Sequence, residues 1–423
     1  KLYDVVKNLQ PQFIELCLVP KLNKNYDECK NHSEFGIRNK NLDKNFYLLL
    51  KQLEAINFKN CNNPESVISQ LLILYTELSS KNTWDEANCL KCSEKLNCYF
   101  HTFYEINLTD VLFQNSVFNH QEIFDKCFEN LHIKLSPAEF KKYPAQIDVY
   151  LRLIKDIKVI PSKILPTSLN LIDDYIIENK LNGLKSCLAI LQCLNKDAFE
   201  KGNYYEVVYL SLKKLITEKD IEATKLVFEC LLTLYHILPA NSQKQKLDEI
   251  YNAVLDQLII ESNLYRKAEC LKFTKTIISI HKIHCCNRII FFSIISDNLD
   301  LCCNEAVSEV LLEIVLQTLK EWVKYCWCVW KFSTGHKIIS NLFKVLYCCK
   351  DERLVTEVHN LLVTLIKLCD DTEKKIIINN LESCVASCVI LINKYNNKII
   401  KRNKTFLLFV KTSSLVFSYI IEQ

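Results

Sequence analysis

Residues that break regular backbone are scarce here: 4 glycines and 8 prolines in 423 residues, with no proline after Pro239. Tight turns draw on Gly and Pro for conformations other residues reach only at a cost. An all-β chain needs such a turn at intervals of about 8–12 residues. Sandwiches and barrels are therefore disfavoured, and a glycine-rich phosphate loop is close to excluded. The chain is 49% hydrophobic, enough to bury a large core. At about 100–200 residues per domain, its length allows two or three domains or one extended array.

The apolar residues recur with the period of a helix. Val67, Ile68, Leu71, Leu72, Leu74, Tyr75 and Leu78 form one buried face, as an amphipathic helix requires. Asn-rich joints at 39–45 and 57–63 break the N-terminal part into several such helices, since Asn favours caps and turns. The clearest pattern runs from Ile160 to Leu194. One apolar face (Ile164, Leu165, Leu169, Leu171, Ile172) ends at Asp173-Asp174, and a second begins near Ile177 and continues through Leu181, Leu184, Leu188, Ile190 and Leu191. Pro161 and Pro166 stand at the start of the first of these helices.

A second pair comes about 40 residues later, the spacing of HEAT-like repeats. Val207, Val208, Leu210, Leu212, Leu215 and Ile216 belong to its first helix, and Ile221 to Ile237 to its second. Further apolar helical segments continue to Ile376–Ile392. The expected fold is all-α, an α-solenoid of HEAT-like helical repeats, with an N-terminal helical region at 1–130 and the solenoid at 131–423. Stacked repeats bury one continuous core and expose a long surface, an architecture suited to binding.

Lys+Arg 53 against Asp+Glu 49 gives a net charge of +4, and the signs are interspersed. A nucleic-acid binder shows a stripe of one sign; the best basic group, Lys398, Lys401, Arg402 and Lys404, reads as a solvated turn. The most apolar segment, Phe406–Ile421, is interrupted by Lys411 and a Thr-Ser-Ser stretch, short of the roughly 18 residues a membrane span needs. The first twelve residues lack the apolar core of a secretory signal. The expectation is an intracellular protein with no membrane or direct nucleic-acid partner. Many of its 22 cysteines, such as Cys187, Cys193, Cys230, Cys384 and Cys388, fall in apolar helical patterns. There a reduced thiol acts as a small hydrophobe.

Four groups of residues invite a chemical reading. Cys89, Cys92, Cys98 and His101 form C-x2-C-x5-C-x2-H, whose thiolates and imidazole could close a tetrahedral zinc site. The same segment also reads as a helix, and its central loop is short for a zinc module. His281, His284, Cys285 and Cys286 form a second cluster without the Glu of an H-E-x-x-H motif, and core thiols at a helix end are the preferred reading. Asp173-Asp174 could be a carboxylate pair, but adjacent helical residues do not face each other. Asp174 is instead expected to cap the amides of the following helix and to accept a hydrogen bond from Lys180. Trp322, Trp327 and Trp330 are candidates for partner contact, although burial is the commoner use of such rings. No hydrolase, P-loop or kinase signature occurs, and no catalytic residue or cofactor is assigned.

The segment LPTSLNLIDDYIIENKLNGLKSCL resembles the L-P-P-x-L-x-L-x-D-D-Y-x-x-E-N-K-x-x-G-x-x-C-L signature of the Tel-two-interacting protein two family. Leu165, Pro166, Leu169, Asp173, Asp174, Tyr175, Glu178, Asn179, Lys180, Gly183, Cys187 and Leu188 stand at matching positions, while Thr167 replaces a second Pro. The wider similarity covers about residues 131–238. The resemblance implies an α-solenoid subunit of the TTT co-chaperone complex, in a heterotrimer with the first Tel-two-interacting protein and Tel-two. With the heat-shock protein 90 system, that complex supports maturation and stability of phosphatidylinositol-3-kinase-related kinases. It therefore serves nutrient (TOR) and DNA-damage signalling, in the cytoplasm with the nucleus as a second compartment. Pro166, Asp173, Asp174, Glu178, Asn179, Lys180 and Gly183 would be structural signature residues. The alternative is a HEAT-repeat transport adaptor of the karyopherin type, which would need an acidic surface for basic cargo.

Overall fold

In the computed structural model, residues 11–28, 31–55, 63–113, 117–155, 164–194 and 204–380 are described. Cys384, Cys388, the basic group at 398–404, the apolar segment at 406–421 and Pro161 lie outside them. The described residues form helices and short 3-10 turns with no strand. Two compact units divide the chain, Lys1–Leu212 with Glu229–Leu238, and Lys213–Phe228 with Pro239–Gln423.

The first unit holds α1 (Pro11–Glu15), α2 (Ser33–Ala55), α3 (Pro64–Leu78), α4 (Ala87–Tyr104), α5 (His120–Lys134), α6 (Pro144–Ile154), α7 (Leu165–Ile172), α8 (Ile177–Cys193) and most of α9 (Tyr204–Lys214). Its joints work as the composition implies. Asn63 and Asn119 cap α3 and α5 by accepting from the Ser66 and Glu122 amides. Pro64, Pro144 and Pro166 sit in the first turn of their helices, where the missing N–H is no loss. The boundary expected at 130 falls inside this unit, because α5 packs on both α3 and α6. The N-terminal helices thus share one core with α6.

Burial within the helices tracks the helical wheel closely. Val208, Tyr209 and Leu212 of α9 are buried whereas Val207 and Leu210 are half exposed. At about 100° per residue, the latter two point away from the buried arc.

In the second unit, α11 (Ala240–Ile260), α13 (Ile290–Leu301) and α15 (Phe332–Cys348) pack successively on one another. So do α12 (Leu264–His281), α14 (Glu305–Cys326) and α16 (Glu352–Lys367). The two rows join through the pairs α11 with α12, α13 with α14 and α15 with α16. This is the two-layer, nearest-neighbour stacking of an α-solenoid, in which each pair completes the core of the next. In the second row, Leu311, Leu312, Val315, Leu319 and Trp322 of α14 and Leu354, Val358, Leu361 and Leu365 of α16 are all buried.

Successive pairs are also joined by buried polar contacts. Arg266, fully buried at the start of α12, forms an ion pair with Glu261. It also donates to the Ile216 carbonyl at 2.7 Å and to Thr224 Oγ1 at 3.1 Å. Thr224 lies in the first turn of α10 (Ile221–Ile237). Asn341 likewise reaches from α15 to the Ser296 carbonyl of α13 at 2.8 Å.

Among the described residues no single helix is long and apolar enough to cross a membrane. The stretch Leu264–Asn287 with Ile290–Leu301 matches that apolar content only as a pair bent by 119°.

Candidate functional site: the Asp174 corner and its groove

The resembling segment builds α7, a sharp corner and α8. Its close packing depends on Gly183, where an added Cβ would lie 2.5 Å from the Ile172 backbone nitrogen. Three small side-chain contacts line the same seam. Ser168 and Ser186 hydroxyls share a hydrogen bond at 2.6 Å, and each oxygen lies 2.9 Å from the Gly183 carbonyl oxygen.

The acidic corner differs from expectation. Asp173 is the C-cap residue of α7 and is exposed, while α8 has no side-chain cap at its N-terminus. The Asp174 carboxylate turns inward instead. It accepts from Asn179 Nδ2 at 2.6 Å and pairs with Lys141 Nζ at 2.9 Å. The cation held against Asp174 is thus Lys141, from the 3-10 turn Phe140–Lys142, where Lys180 was expected. A carboxylate this enclosed, with only 3% of its side chain exposed, is stable as a charge only when paired and hydrogen-bonded.

A loop distant in sequence completes the arrangement. Tyr26 N–H donates to the Lys141 carbonyl at 3.0 Å and Leu22 N–H to that of Lys142 at 3.0 Å, which brings the loop carrying Asp27 to the corner. Asp27 lies 3.4 Å from the Lys141 ammonium and accepts from the Tyr175 hydroxyl at 2.9 Å. The ammonium also sits 4.0 Å from the centroid of the Tyr175 ring, a cation–π contact. Burial works against the charge on Lys141, but Asp174, then Asp27 and Tyr175, outweigh it and hold the amine above its usual range. Tyr175 is thereby fixed at its hydroxyl and on one face while remaining 78% exposed.

The corner opens into a groove of about 450 Å³ lined by Tyr26, Trp84, Asp148, Tyr175, Glu178 and their neighbours. Of the signature residues, Asn179 and Glu178 line it, whereas Gly183 holds the helix pair behind it. Pro166 is exposed in the first turn of α7. Sequence reasoning missed Asp27, Lys141 and Trp84. They carry no local motif, and only folding brings them to a corner that lies far from them along the chain.

The proposed metal ligands do not converge. All four lie on α4, where Cys89 and Cys92 are buried and Cys98 and His101 are exposed. The stretch of helix between Cys92 and Cys98 turns the second pair to the opposite side. Cys89 Sγ instead accepts from Arg38 Nη1 at 3.0 Å. Among the described residues no three His, Cys, Asp or Glu side chains are grouped to hold a metal. His281 is buried with Nε2 2.6 Å from Asp248 Oδ1, and Cys285 is a buried thiol, in line with the core reading of that cluster. All described cysteines are free and most are buried, including Cys187 and Cys230, while Cys193 is exposed.

The tryptophans separate. Trp322 stacks on Phe291 with ring centroids 5.6 Å apart and meets Phe292 edge-on. Trp330 is also buried, its ring lying over Gly335. Both are core side chains, which removes them as partner contacts. Trp327 is 57% exposed.

No protein-family model matches the chain, and no curated protein matches it by sequence. Solved structures align with it at low identity. Kap121p bound to Ste12p aligns at 12% identity and a TM-score of 0.45, over 95% of this chain and 41% of Kap121p. An engineered protein aligns at 12% identity and a TM-score of 0.43, over 84% of this chain and 96% of its own length. Importin beta aligns at 10% identity and a TM-score of 0.32, over 94% of this chain and 56% of its own.

Proposed function

We propose that this chain is a non-enzymatic helical-repeat scaffold that acts as the second Tel-two-interacting subunit of a TTT-type co-chaperone. The observation that carries the reading is the run from Leu165 to Leu188, whose resemblance to that family's signature falls on residues with tight structural duties. Gly183 permits the α7–α8 crossing, and Asp174 and Asn179 form the corner. Such positions tolerate few substitutes, so a matching string there is informative in a way that matching Leu residues would not be.

In this reading the scaffold binds the first Tel-two-interacting protein over a broad helix-to-helix surface, in a heterotrimer with Tel-two. A constitutive interface of this kind buries more than about 2,000 Å². The complex would support phosphatidylinositol-3-kinase-related kinases together with the heat-shock protein 90 machinery. Co-expression with homologues of the first Tel-two-interacting protein and Tel-two, followed by size-exclusion chromatography, should yield a single heterotrimeric peak. Separate elution of a folded chain from both partners would reject the assignment.

A further inference from the structure

We propose that the groove at the Asp174 corner is a docking site for a basic linear segment of a partner protein, with an arginine side chain stacked on the open face of Tyr175. The first ground is charge. Among the described residues, the charged ones that line the groove are Asp27, Glu28, Asp148 and Glu178 and one lysine, Lys141. Lys141 is already committed to Asp174 and Asp27. A chain with a net charge of +4 thus presents a locally acidic cleft, which attracts cations and rejects acidic segments.

The second ground is the aromatic wall. Tyr175 is a large exposed ring that cannot swing freely, because Asp27 holds its hydroxyl and Lys141 covers one face. Its remaining face is presented at little further entropic cost, the condition under which an aromatic anchors an interface. Guanidinium is the cation best suited to such a face, being planar and weakly hydrated. Deeper in the lining, Trp84 is 6% exposed, packs edge-on against Tyr26 at 5.8 Å, and has an indole N–H with no acceptor. Asp27 Oδ1 is likewise buried without a donor. The volume of about 450 Å³ is in the range of sites that enclose a few side chains.

This site does not rest on the TTT reading, because peptide binding is measured on the chain without either partner. The test uses the full chain and fluorescein-labelled eight-residue peptides with arginine fixed at a central position and randomised flanks, read by fluorescence anisotropy. The same pool with citrulline, neutral and nearly isosteric, is the comparison. Binding is expected to weaken at least tenfold with citrulline, with Tyr175→Ala, and with the exposed pair Glu28→Gln and Glu178→Gln, while thermal melting of the paired variant stays unchanged. Glu352→Gln with Asp371→Asn, an equal charge change in the other unit, should leave binding intact. No binding by the arginine pool, equal binding by the citrulline pool, or wild-type binding by the groove variants would each overturn the proposal.

Discussion

At Gly183 and Glu77, single atoms decide how the first unit packs. A methyl group at position 183 would meet backbone, Ile172 N at 2.5 Å, and backbone cannot rotate away as a side-chain tip can. Gly183→Ala is therefore expected to destabilise the first unit by about 1–3 kcal/mol, seen as a lower urea midpoint. Asp174→Ala removes the charge paired with Lys141, but the ammonium keeps Asp27 and the Tyr175 ring. A loss of about 1–3 kcal/mol is expected, with binding of a solenoid partner falling only as far as folding does.

Glu77 offers a pH test. It is fully enclosed, accepts from the Val19 amide and from Gln146 at 2.7 Å, and lies 3.5 Å from the Arg38 guanidinium. Burial pushes its carboxyl up from 4.5 to about 7 despite Arg38 and the Val19 hydrogen bond. Between those values the folded chain holds more protons than the unfolded one. The contribution of this group to stability is therefore present below 4.5 and lost as the pH rises through about 7. The wild-type urea midpoint should fall between pH 5 and pH 8. Glu77→Gln, an isostere of the protonated carboxyl, should lack this slope, so the gap between the two urea midpoints should change between pH 5 and pH 8. A parallel pH dependence in the two proteins would exclude Glu77 as its source.

Between elements, the decisive contacts are those from one helix pair to the next. Arg266 begins α12 but spends its donors on Glu261, the Ile216 carbonyl and Thr224, so it fastens α12 to the preceding corner. Arg266→Met keeps much of the side-chain volume but leaves the buried Glu261 with the Asn263 amide at 2.8 Å and the exposed Lys219 ammonium at 3.6 Å. A loss of about 3–5 kcal/mol is expected, and hydrogen exchange should show first opening at α10 to α12. Uniform exchange across the second unit would contradict this local role. The α14–α15 junction depends on a glycine as well: an added Cβ at Gly335 would come 2.2 Å from the Trp330 ring, so Gly335→Ala should expose that indole and shift its fluorescence to the red.

At the scale of the molecule, the sequence determined that this chain is helical, paired and repetitive, and it located the corner at Asp173-Asp174. Those properties come from local rules: a period of 3.6 residues, asparagine and proline at helix starts, and almost no glycine for turns. The small residue at the α7–α8 crossing was legible for the same reason, since α7 and α8 are consecutive. Tertiary structure alone decided which residues answer the corner. Lys141, reached across 33 positions, takes the place expected of Lys180, and Asp27 arrives from 148 positions away to hold Tyr175. It also decided that Trp322 and Trp330 belong to the core while Trp327 faces outward, and that Cys98 and His101 turn away from Cys89 and Cys92. Periodicity gives the angle of a side chain about its own helix. Which neighbour covers that angle depends on contacts between distant segments, and those have no local signature.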